Sequence, residues 1–392
     1  MYLNGGKWNV WIVLAIMAWT SPLSSAQSPT DNDVVIKLRT YGWEPPQPRG
    51  AGSPAPSIAI DRKNRVLVGF TVRERNGLVT RDRPSLSLHI MRFAPDGKLD
   101  LSLSLPTNEA GRTGIYLSDT DQIVARANNK IQLLQGDERN AQAGVWKILA
   151  PCIAGCRVEQ SHSRHTLILS TENADPPVTL IRLSQEPALQ SCGKPHQYIK
   201  SHEDFIQNYP QSITDDFAYF SGWHGLELFT YRWPHCDYEH HVELSANVDV
   251  RLALSNDLFV STTNSGRTRH GGVEVISSDG QMRFRWDLAK YESGDNFWEP
   301  IRASDQGNRI AVHILTLRGG NQILDIGSHI TARRIAVYDI EAGKEVASIP
   351  SSVKYQYRFA FDLSPDGHRL AIWEDDAVRV VELDDLAKSH AH

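Results

Sequence analysis

Side chains that stack on a ligand or hydrogen-bond to one recur in the segments that join predicted strands. They are Trp223, His224, Arg267, Arg269, His270, Trp298 and Tyr357. An arginine presents forked donors that fit carboxylate, sulfate or phosphate groups, and Trp and Tyr rings stack on sugar or peptide surfaces. The sequence therefore predicts a binding surface for a protein or a glycan, provided that the fold gathers these segments on one side.

Acid–base catalysis would need at least two titratable groups that face one pocket. The candidates in the same segments are His224, His270, Asp295 and Glu299. The chain contains neither a Gly-x-Ser-x-Gly nor a His-Glu-x-x-His motif. We therefore assign no catalytic residue and favour a non-enzymatic binding or scaffold protein. The alternative is a hydrolase or lyase that acts on an extracellular polysaccharide or peptide.

A histidine-rich stretch at 235–241 raises the question of a metal site. His240 and His241 are adjacent on a predicted strand, so their side chains point to opposite faces of the sheet. A shared ion would require a bulge there. We expect no metal ion and no cofactor.

The four cysteines are Cys152, Cys156, Cys192 and Cys236. An even number of cysteines in an exported chain indicates disulfides, with three possible pairings. The spacing of Cys152 and Cys156 favours a small loop closed by these two, which would leave Cys192 with Cys236. The pairing stays open at this point.

The N-terminus has the pattern of an export signal. Lys7 precedes an apolar run at 8–19, and the small residues Ser24 and Ala26 occupy the −3 and −1 positions of a cleavage site. The apolar run is shorter than the roughly 20 residues that cross a bilayer. We expect cleavage after Ala26, a periplasmic or secreted protein, and no membrane insertion after cleavage.

Charge argues against two classes of partner. Lys and Arg number 41 against 46 Asp and Glu, which gives a net charge of −5, and the charges are interspersed. Nucleic acids and anionic membranes are therefore poor partners. We expect a monomer.

The chain is organised as a repeat of short apolar strands and polar turns. The residues that follow each predicted innermost strand are Asp61, Ser118, Ser161, Thr214, Ser255, Ser304 and Ser364. They recur about every 50 residues, which leaves room for four strands in each unit. This spacing predicts an all-β propeller of seven four-stranded blades, with six as the alternative.

The ends of the chain complete this organisation. The last unit is one strand short, and a strand predicted at 34–39 precedes the first complete unit. Since an unpaired sheet edge invites aggregation, we expect that strand to close the last blade. The expected domains are a signal peptide at 1–26, a closing strand with a Pro-rich lead-in at 27–56, and the propeller at 57–392.

The Ser-Pro-Asp-Gly turn at 364–367, followed by Leu370 and Ala371, resembles the repeat of bacterial WD40-like and TolB-like propellers. The segment at 337–344 resembles the turn between the outer strands of YVTN-like propellers. The resemblance implies a secreted or periplasmic binding platform, and no single activity. In such a ring the connections between the second and third strands, and between blades, meet on one face. Most of the candidate binding residues above lie in those connections.

Overall fold

The computed structural model describes most of the predicted strands. The described residues are 33–43, 56–73, 86–108, 113–135, 145–152, 156–171, 178–184, 186–192, 212–221, 227–232, 237–243, 248–255, 257–263, 272–287, 295–317, 330–351 and 360–383. The proposed signal peptide at 1–26 lies outside them, as does most of the lead-in at 27–56.

The strands of the N-terminal half form three four-stranded antiparallel sheets. Sheet 1 contains β2 (Ser57–Ile60), β3 (Val66–Arg73), β4 (Leu86–Phe93) and β5 (Leu99–Thr107). Sheet 2 contains β6 (Gly114–Leu117), β7 (Ile123–Ala127), β8 (Lys130–Gln135) and β9 (Val145–Pro151). Sheet 3 contains β10 (Arg157–Gln160), β11 (Thr166–Ser170), β12 (Val178–Arg182) and β13 (Ala188–Cys192).

The C-terminal half repeats this plan. Sheet 4 contains β14 (Ser212–Ile213), β15 (Phe217–Ser221), β16 (Glu227–Arg232) and β17 (Asp237–Glu243). Sheet 5 contains β18 (Val248–Ser255), β19 (Leu258–Thr263), β20 (Gly272–Ser277) and β21 (Met282–Asp287). Sheet 6 contains β22 (Asp295–Ala303), β23 (Arg309–Leu317), β24 (Ile330–Asp339) and β25 (Lys344–Pro350).

Sheet 7 draws on both ends of the chain. It contains β26 (Phe361–Leu363), β27 (Arg369–Glu374) and β28 (Ala377–Glu382), with β1 (Val34–Lys37) as its fourth strand. β1 runs antiparallel to β28, with Val34 opposite Val380 and Lys37 opposite Ala377. The described residues therefore form seven four-stranded sheets.

The sheets are arranged around an axis as a β-propeller, which confirms the predicted all-β propeller fold. We call the four strands of each sheet a to d, from the axis outward. Strand a of sheet 7 contacts strand a of sheet 1, and strands a of sheets 3 to 7 contact one another in succession. Sheets 2 and 3 meet where Gln160 Nε2 donates to the carbonyl oxygen of Leu117 at 2.6 Å.

Burial follows the layering of the sheets. Every residue of the middle strands β11 and β20 is buried, because the neighbouring sheets cover both of their faces. In the outer strand β5, buried residues alternate with exposed ones over part of its length. The outer strand β21 has no buried residue. The apolar core is accordingly divided into clusters that lie between neighbouring sheets, as the cluster of Ile335, Phe361 and Leu370 illustrates.

The turns from strand a to strand b in sheets 1, 2, 3, 6 and 7 share one geometry, in which the carbonyl oxygen of the landmark residue accepts from the N–H three residues later. The carbonyl oxygen of Ser364 accepts from the N–H of Gly367 at 2.8 Å, and its hydroxyl accepts from the N–H of Arg369 at 2.8 Å. Ser304 makes the same contacts with Gly307 and Arg309. Each landmark residue lies at or directly after the end of strand a, which confirms the predicted repeat.

The N-terminal segment packs against sheets 1 and 7 through apolar side chains. After β1 a 3-10 helix, Leu38–Tyr41, brings Leu38 and Trp43 into the same core as Ile36. The Trp43 ring contacts Phe70 of sheet 1 and Trp373 of sheet 7 at ring-centroid distances of 5.5 and 5.1 Å.

The cysteines agree with the favoured pairing as far as they are described. Cys152 and Cys156 form a disulfide with a Cα–Cα distance of 5.3 Å, between sheets 2 and 3. Cys192 is disulfide-bonded as well, and Cys236 lies outside the described residues. Over the part of the chain that the structure covers, we find no helix with the length and apolar character needed to cross a bilayer.

Candidate functional site

The two ends of the sheets carry different kinds of connection. The a–b and c–d turns lie at one end, which we call the turn face, and the b–c and d–a connections lie at the other, which we call the connection face. Most of the predicted binding residues belong to the connection face. Trp223, His224, Arg267, Arg269, His270 and Tyr357 lie outside the described residues. The prediction that Trp298 lies in a segment between strands is wrong, because this residue belongs to β22, strand a of sheet 6, opposite His313.

Of the four acid–base candidates, two lie in a described strand and two lie outside the described residues. The prediction that Asp295 and Glu299 lie in a connecting segment is also wrong, because both belong to β22. His224 and His270 lie outside the described residues. His240 and His241 lie in β17, where the pairing with β16 shifts register: Phe229 is opposite His240 and Leu228 is opposite Val242, so His241 has no residue opposite it. Within the described segments, no three His, Cys, Asp or Glu side chains are grouped so as to hold a metal ion.

The turn face contains a polar cluster that the sequence analysis did not predict, centred on Arg164. This residue belongs to the a–b turn of sheet 3, yet its guanidinium donates to the carbonyl oxygen of Ile60 in sheet 1 at 2.5 Å. It also lies 3.4 Å from Asp362 of sheet 7 and 3.5 Å from Asp305 of sheet 6. Arg164 therefore spans the axis and ties together sheets that are not neighbours in the ring.

The backbone of Arg164 explains how it reaches the axis. It has a φ of +68°, and it stands where Gly307 and Gly367 stand in the turns of sheets 6 and 7. Left-handed backbone at a residue with a long side chain is unfavourable by about 1 kcal/mol. The three contacts across the axis offset that cost, and they leave the residue only 7% exposed.

Asp362 is the buried anion of this cluster. Its carboxylate accepts from the backbone N–H of Ile60 at 2.9 Å and faces Arg164, with Arg302 at 3.9 Å. Burial raises the pKa of Asp362, and the positive charges of Arg164 and Arg302 oppose that rise. The arginines are thus what makes a charged Asp362 tolerable inside the ring.

Beside this cluster the turn face forms an open cup with a volume of about 460 Å³. Its walls come from the a–b turns of sheets 1, 3, 6 and 7. They include Arg62, Asn64, Ser163, His165, Asp305, Gln306, Pro365 and Asp366. The half-exposed Arg62 lies 3.3 Å from Asp305, the carboxylate that Arg164 also contacts.

The hydrogen bonds of the cup show whether Ser163 could act as a nucleophile with His165 as its base. The Ser163 hydroxyl donates to Asp215 and lies 3.0 Å from the Ser161 hydroxyl. His165 Nδ1 lies 3.4 Å from Asp119 Oδ2. Because Ser163 gives its proton to Asp215, it is not activated by His165 in the way a serine nucleophile requires. The contacts of the cup are those of a polar surface whose charges stabilise the turns.

No protein-family model matches the chain, and no curated protein matches it. Several solved structures are similar to it at low sequence identity. Kuenenia stuttgartiensis hydrazine synthase is 13% identical over 72% of this chain and 80% of its own, with a TM-score of 0.48. The Myceliophteria thermophila Cps50 (Swd1) β-propeller domain is 10% identical over 85% and 98%, with a TM-score of 0.48.

A third structure, an oligogalacturonate lyase in complex with manganese, is 9% identical over 87% of this chain and 100% of its own, with a TM-score of 0.47. At these identities and scores the likeness concerns the fold, and no activity follows from it.

Proposed function

We propose that this protein is a non-enzymatic, extracytoplasmic binding propeller that captures a protein or a glycan with its connection face. The residues that we expect to make contact are Trp223, His224, Arg267, Arg269, His270, Trp298 and Tyr357. A hydrolase or lyase acting on an extracellular polysaccharide or peptide is the alternative.

One observation supports this proposal above the others, namely the difference in chain length between the two faces. On the turn face, strand a passes to strand b within 61–65, 118–122, 161–165, 304–308 and 364–368. On the connection face, the chain between strands takes up 74–85, 193–211, 264–271 and 318–329, while the b–c connections 128–129 and 375–376 contain two residues each. The c–d turn at 136–144 is a nine-residue connection on the turn face. Binding residues of scaffolded folds concentrate in long connections.

The charged groups of the turn face support the same assignment. Arg164, Asp305 and Asp362 are engaged with one another across the axis. A side chain that holds the ring together in this way is poorly suited to exchanging its partner for a ligand. The turn face therefore has a structural role in this proposal, and recognition belongs to the other face.

We also propose the maturation and closure of the ring. Cleavage after Ala26 would export a chain that begins at Gln27, and the pairing of β1 with β28 would then hold the seven sheets in one closed ring. The closing strand gives the last sheet its outer strand, so that β28 is not left as an open edge.

The test is a capture experiment with chain 27–392 as bait, in extracts of the cell envelope and of the culture medium. The variant carries Arg267→Ala, Arg269→Ala and Trp298→Ala together. We expect it to lose captured partner at least tenfold, the change that about 1.4 kcal/mol produces. Mass spectrometry of the natively exported protein, from the same preparations, should find Gln27 at its N-terminus.

A matched control removes two exposed cations from the turn face, with Lys98→Ala and Lys344→Ala. It should capture as much partner as the wild-type protein. If the control loses the partner and the triple variant keeps it, recognition belongs to the turn face and the proposal is wrong. Progressive cleavage of the captured partner would favour the enzyme.

A further inference from the structure

The seam between sheets 6 and 7 contains a second buried arginine, Arg333, close to the connection face. Arg333 lies near the start of β24, opposite Leu315, and His313 pairs with Ile335 two residues further along. Paired residues of an antiparallel sheet project on the same side. Ile335 packs against Phe361 of sheet 7, so Arg333 and His313 also project from sheet 6 toward sheet 7.

Ser351 completes the group. Its N–H donates to the carbonyl oxygen of Arg333 at 2.9 Å, which continues the ladder between β24 and β25 by one residue. The Ser351 side chain is therefore beside that of Arg333 on the same side of the sheet. We call Arg333, Ser351 and His313 the Arg333 cluster.

The charge of Arg333 is not matched by an ion pair. The residue is 7% exposed, and among the described residues no carboxylate lies within 4.0 Å of its guanidinium. Burial lowers the pKa of Arg333, and the charge of Asp375, which acts from beyond ion-pair distance, opposes that effect. The exposed 7% of the residue is the route by which a small ligand would reach the side chain.

A neighbouring arginine in the same seam shows that carboxylates are not scarce there. Arg379 Nη2 lies 2.9 Å from Glu374, and Nη1 lies 3.7 Å from Asp33. It also donates to the carbonyl oxygen of Pro350, the residue before Ser351. Two carboxylates thus accompany Arg379, while Arg333, equally buried, has none.

The other members of the cluster are also suited to an anion. The hydroxyl of Ser351 is buried with no hydrogen-bond partner among the described residues, which leaves it able to donate. Burial lowers the pKa of His313 to about 3, so the imidazole is neutral at physiological pH and adds no second positive charge. The cluster therefore offers one positive charge and a hydroxyl donor.

We propose that the Arg333 cluster is a binding site for a carboxylate group. A buried guanidinium without a partner is unfavourable, and a ligand that supplies the missing negative charge removes that cost. A carboxylate accepts two parallel hydrogen bonds from the guanidinium fork, and a third can come from Ser351. Its single negative charge equals the single uncompensated positive charge, which a phosphate or sulfate dianion would exceed.

The experiment measures binding of sodium acetate to chain 27–392 by isothermal titration and by the shift in thermal unfolding midpoint, with sodium chloride at the same ionic strength as the reference. A ligand that binds the folded state raises the midpoint with its concentration. We expect acetate to raise it more than chloride does, and Arg333→Met to abolish the difference. Ser351→Ala should weaken acetate binding about fivefold, the loss of one hydrogen bond.

Two further variants distinguish acetate binding at this site from a general effect of salt on stability. Arg334→Met changes the next residue, which projects from the opposite side and contacts Glu345 and Ser348 at 3.2 Å, and it should bind acetate like the wild type. Arg333→Lys keeps the charge but loses the fork, so about tenfold weaker binding is expected while the fold is kept.

Three results would overturn the proposal. They are an equal midpoint in acetate and chloride, a shift that persists in both Arg333 variants, and sulfate or phosphate binding by isothermal titration as tight as that of acetate. The proposal does not depend on the partner of the connection face. Failure of the capture experiment would leave the acetate result as it is, and the reverse also holds.

Discussion

Two buried arginines, one near each face of the ring, have opposite surroundings. Arg164 on the turn face lies within 3.5 Å of two carboxylates that belong to sheets 6 and 7. Arg333 near the connection face is equally buried, at 7% exposure, yet the described residues place no carboxylate within ion-pair distance of it. The fold therefore matches a buried positive charge in one place and leaves it unmatched in the other.

This difference indicates that Arg164 has a structural role and that Arg333 is available to bind a ligand. The charge of Arg164 is used inside the molecule, to tie sheet 3 to sheets 1, 6 and 7. The charge of Arg333 has no internal use that its contacts reveal. Removing the charge of Arg164 should therefore cost more stability than removing the charge of Arg333, and unfolding measurements on the two variants test this difference.

The largest effect is expected for Arg164→Met. This variant leaves Asp362 buried beside a single arginine, Arg302, at 3.9 Å. Removing one partner of a buried ion pair costs about 3 kcal/mol or more, because the other charge stays uncompensated. Urea unfolding at pH 7.5 should show this loss, and a loss below about 1 kcal/mol would contradict the structural role of Arg164.

The pH dependence identifies the origin of that loss. Burial already raises the pKa of Asp362, and removal of Arg164 raises it further. A carboxyl whose folded pKa lies above its unfolded value loses stability as pH rises between the two values. The deficit of Arg164→Met should therefore shrink as the pH falls from 7.5 toward 5. Adding Asp362→Asn should flatten that dependence.

An intermediate effect is expected at the closing strand, which brings Asp33 to the seam that contains Arg333. Ile36 is 4% exposed and Val35 is 43% exposed, on opposite sides of β1. Ile36→Ala should cost about 2–3 kcal/mol, because it leaves a cavity in the core, whereas Val35→Ala should change stability by less than about 0.5 kcal/mol. Equal, small effects in urea unfolding would argue against closure by β1.

The repeat made much of the fold predictable. The residues from Asp61 to Ser364 that end each strand a were found by their spacing, because a Ser or Asp that caps a tight turn leaves a local signature. The spacing of about 50 residues predicted four strands in each unit, and each sheet of the described residues has four. Turn chemistry and strand alternation are local, so one sequence suffices to find them.

The two arginine sites could not be predicted in the same way. Arg164 contacts Ile60 and Asp362, which are 104 and 198 residues away in the chain, and no local pattern encodes such contacts. One signal was available, since Arg164 occupies the left-handed position at which the turns of sheets 6 and 7 have glycine. For Arg333 no signal existed, because Arg334 beside it has the same residue type but a more exposed position.

The smallest effect on stability, and the sharpest test of the comparison, is expected for Arg333→Met. Replacing an unmatched buried charge by an apolar side chain of similar length removes a desolvation cost and breaks no ion pair that the structure describes. Urea unfolding without added carboxylate should therefore show a stability within about 1 kcal/mol of the wild type, equal or higher. Arg334→Met, which removes a surface pair with Glu345, should cost about 0.5 kcal/mol. A loss for Arg333→Met as large as that for Arg164→Met would mean that Arg333 has a structural partner, and the two arginines would then have the same role.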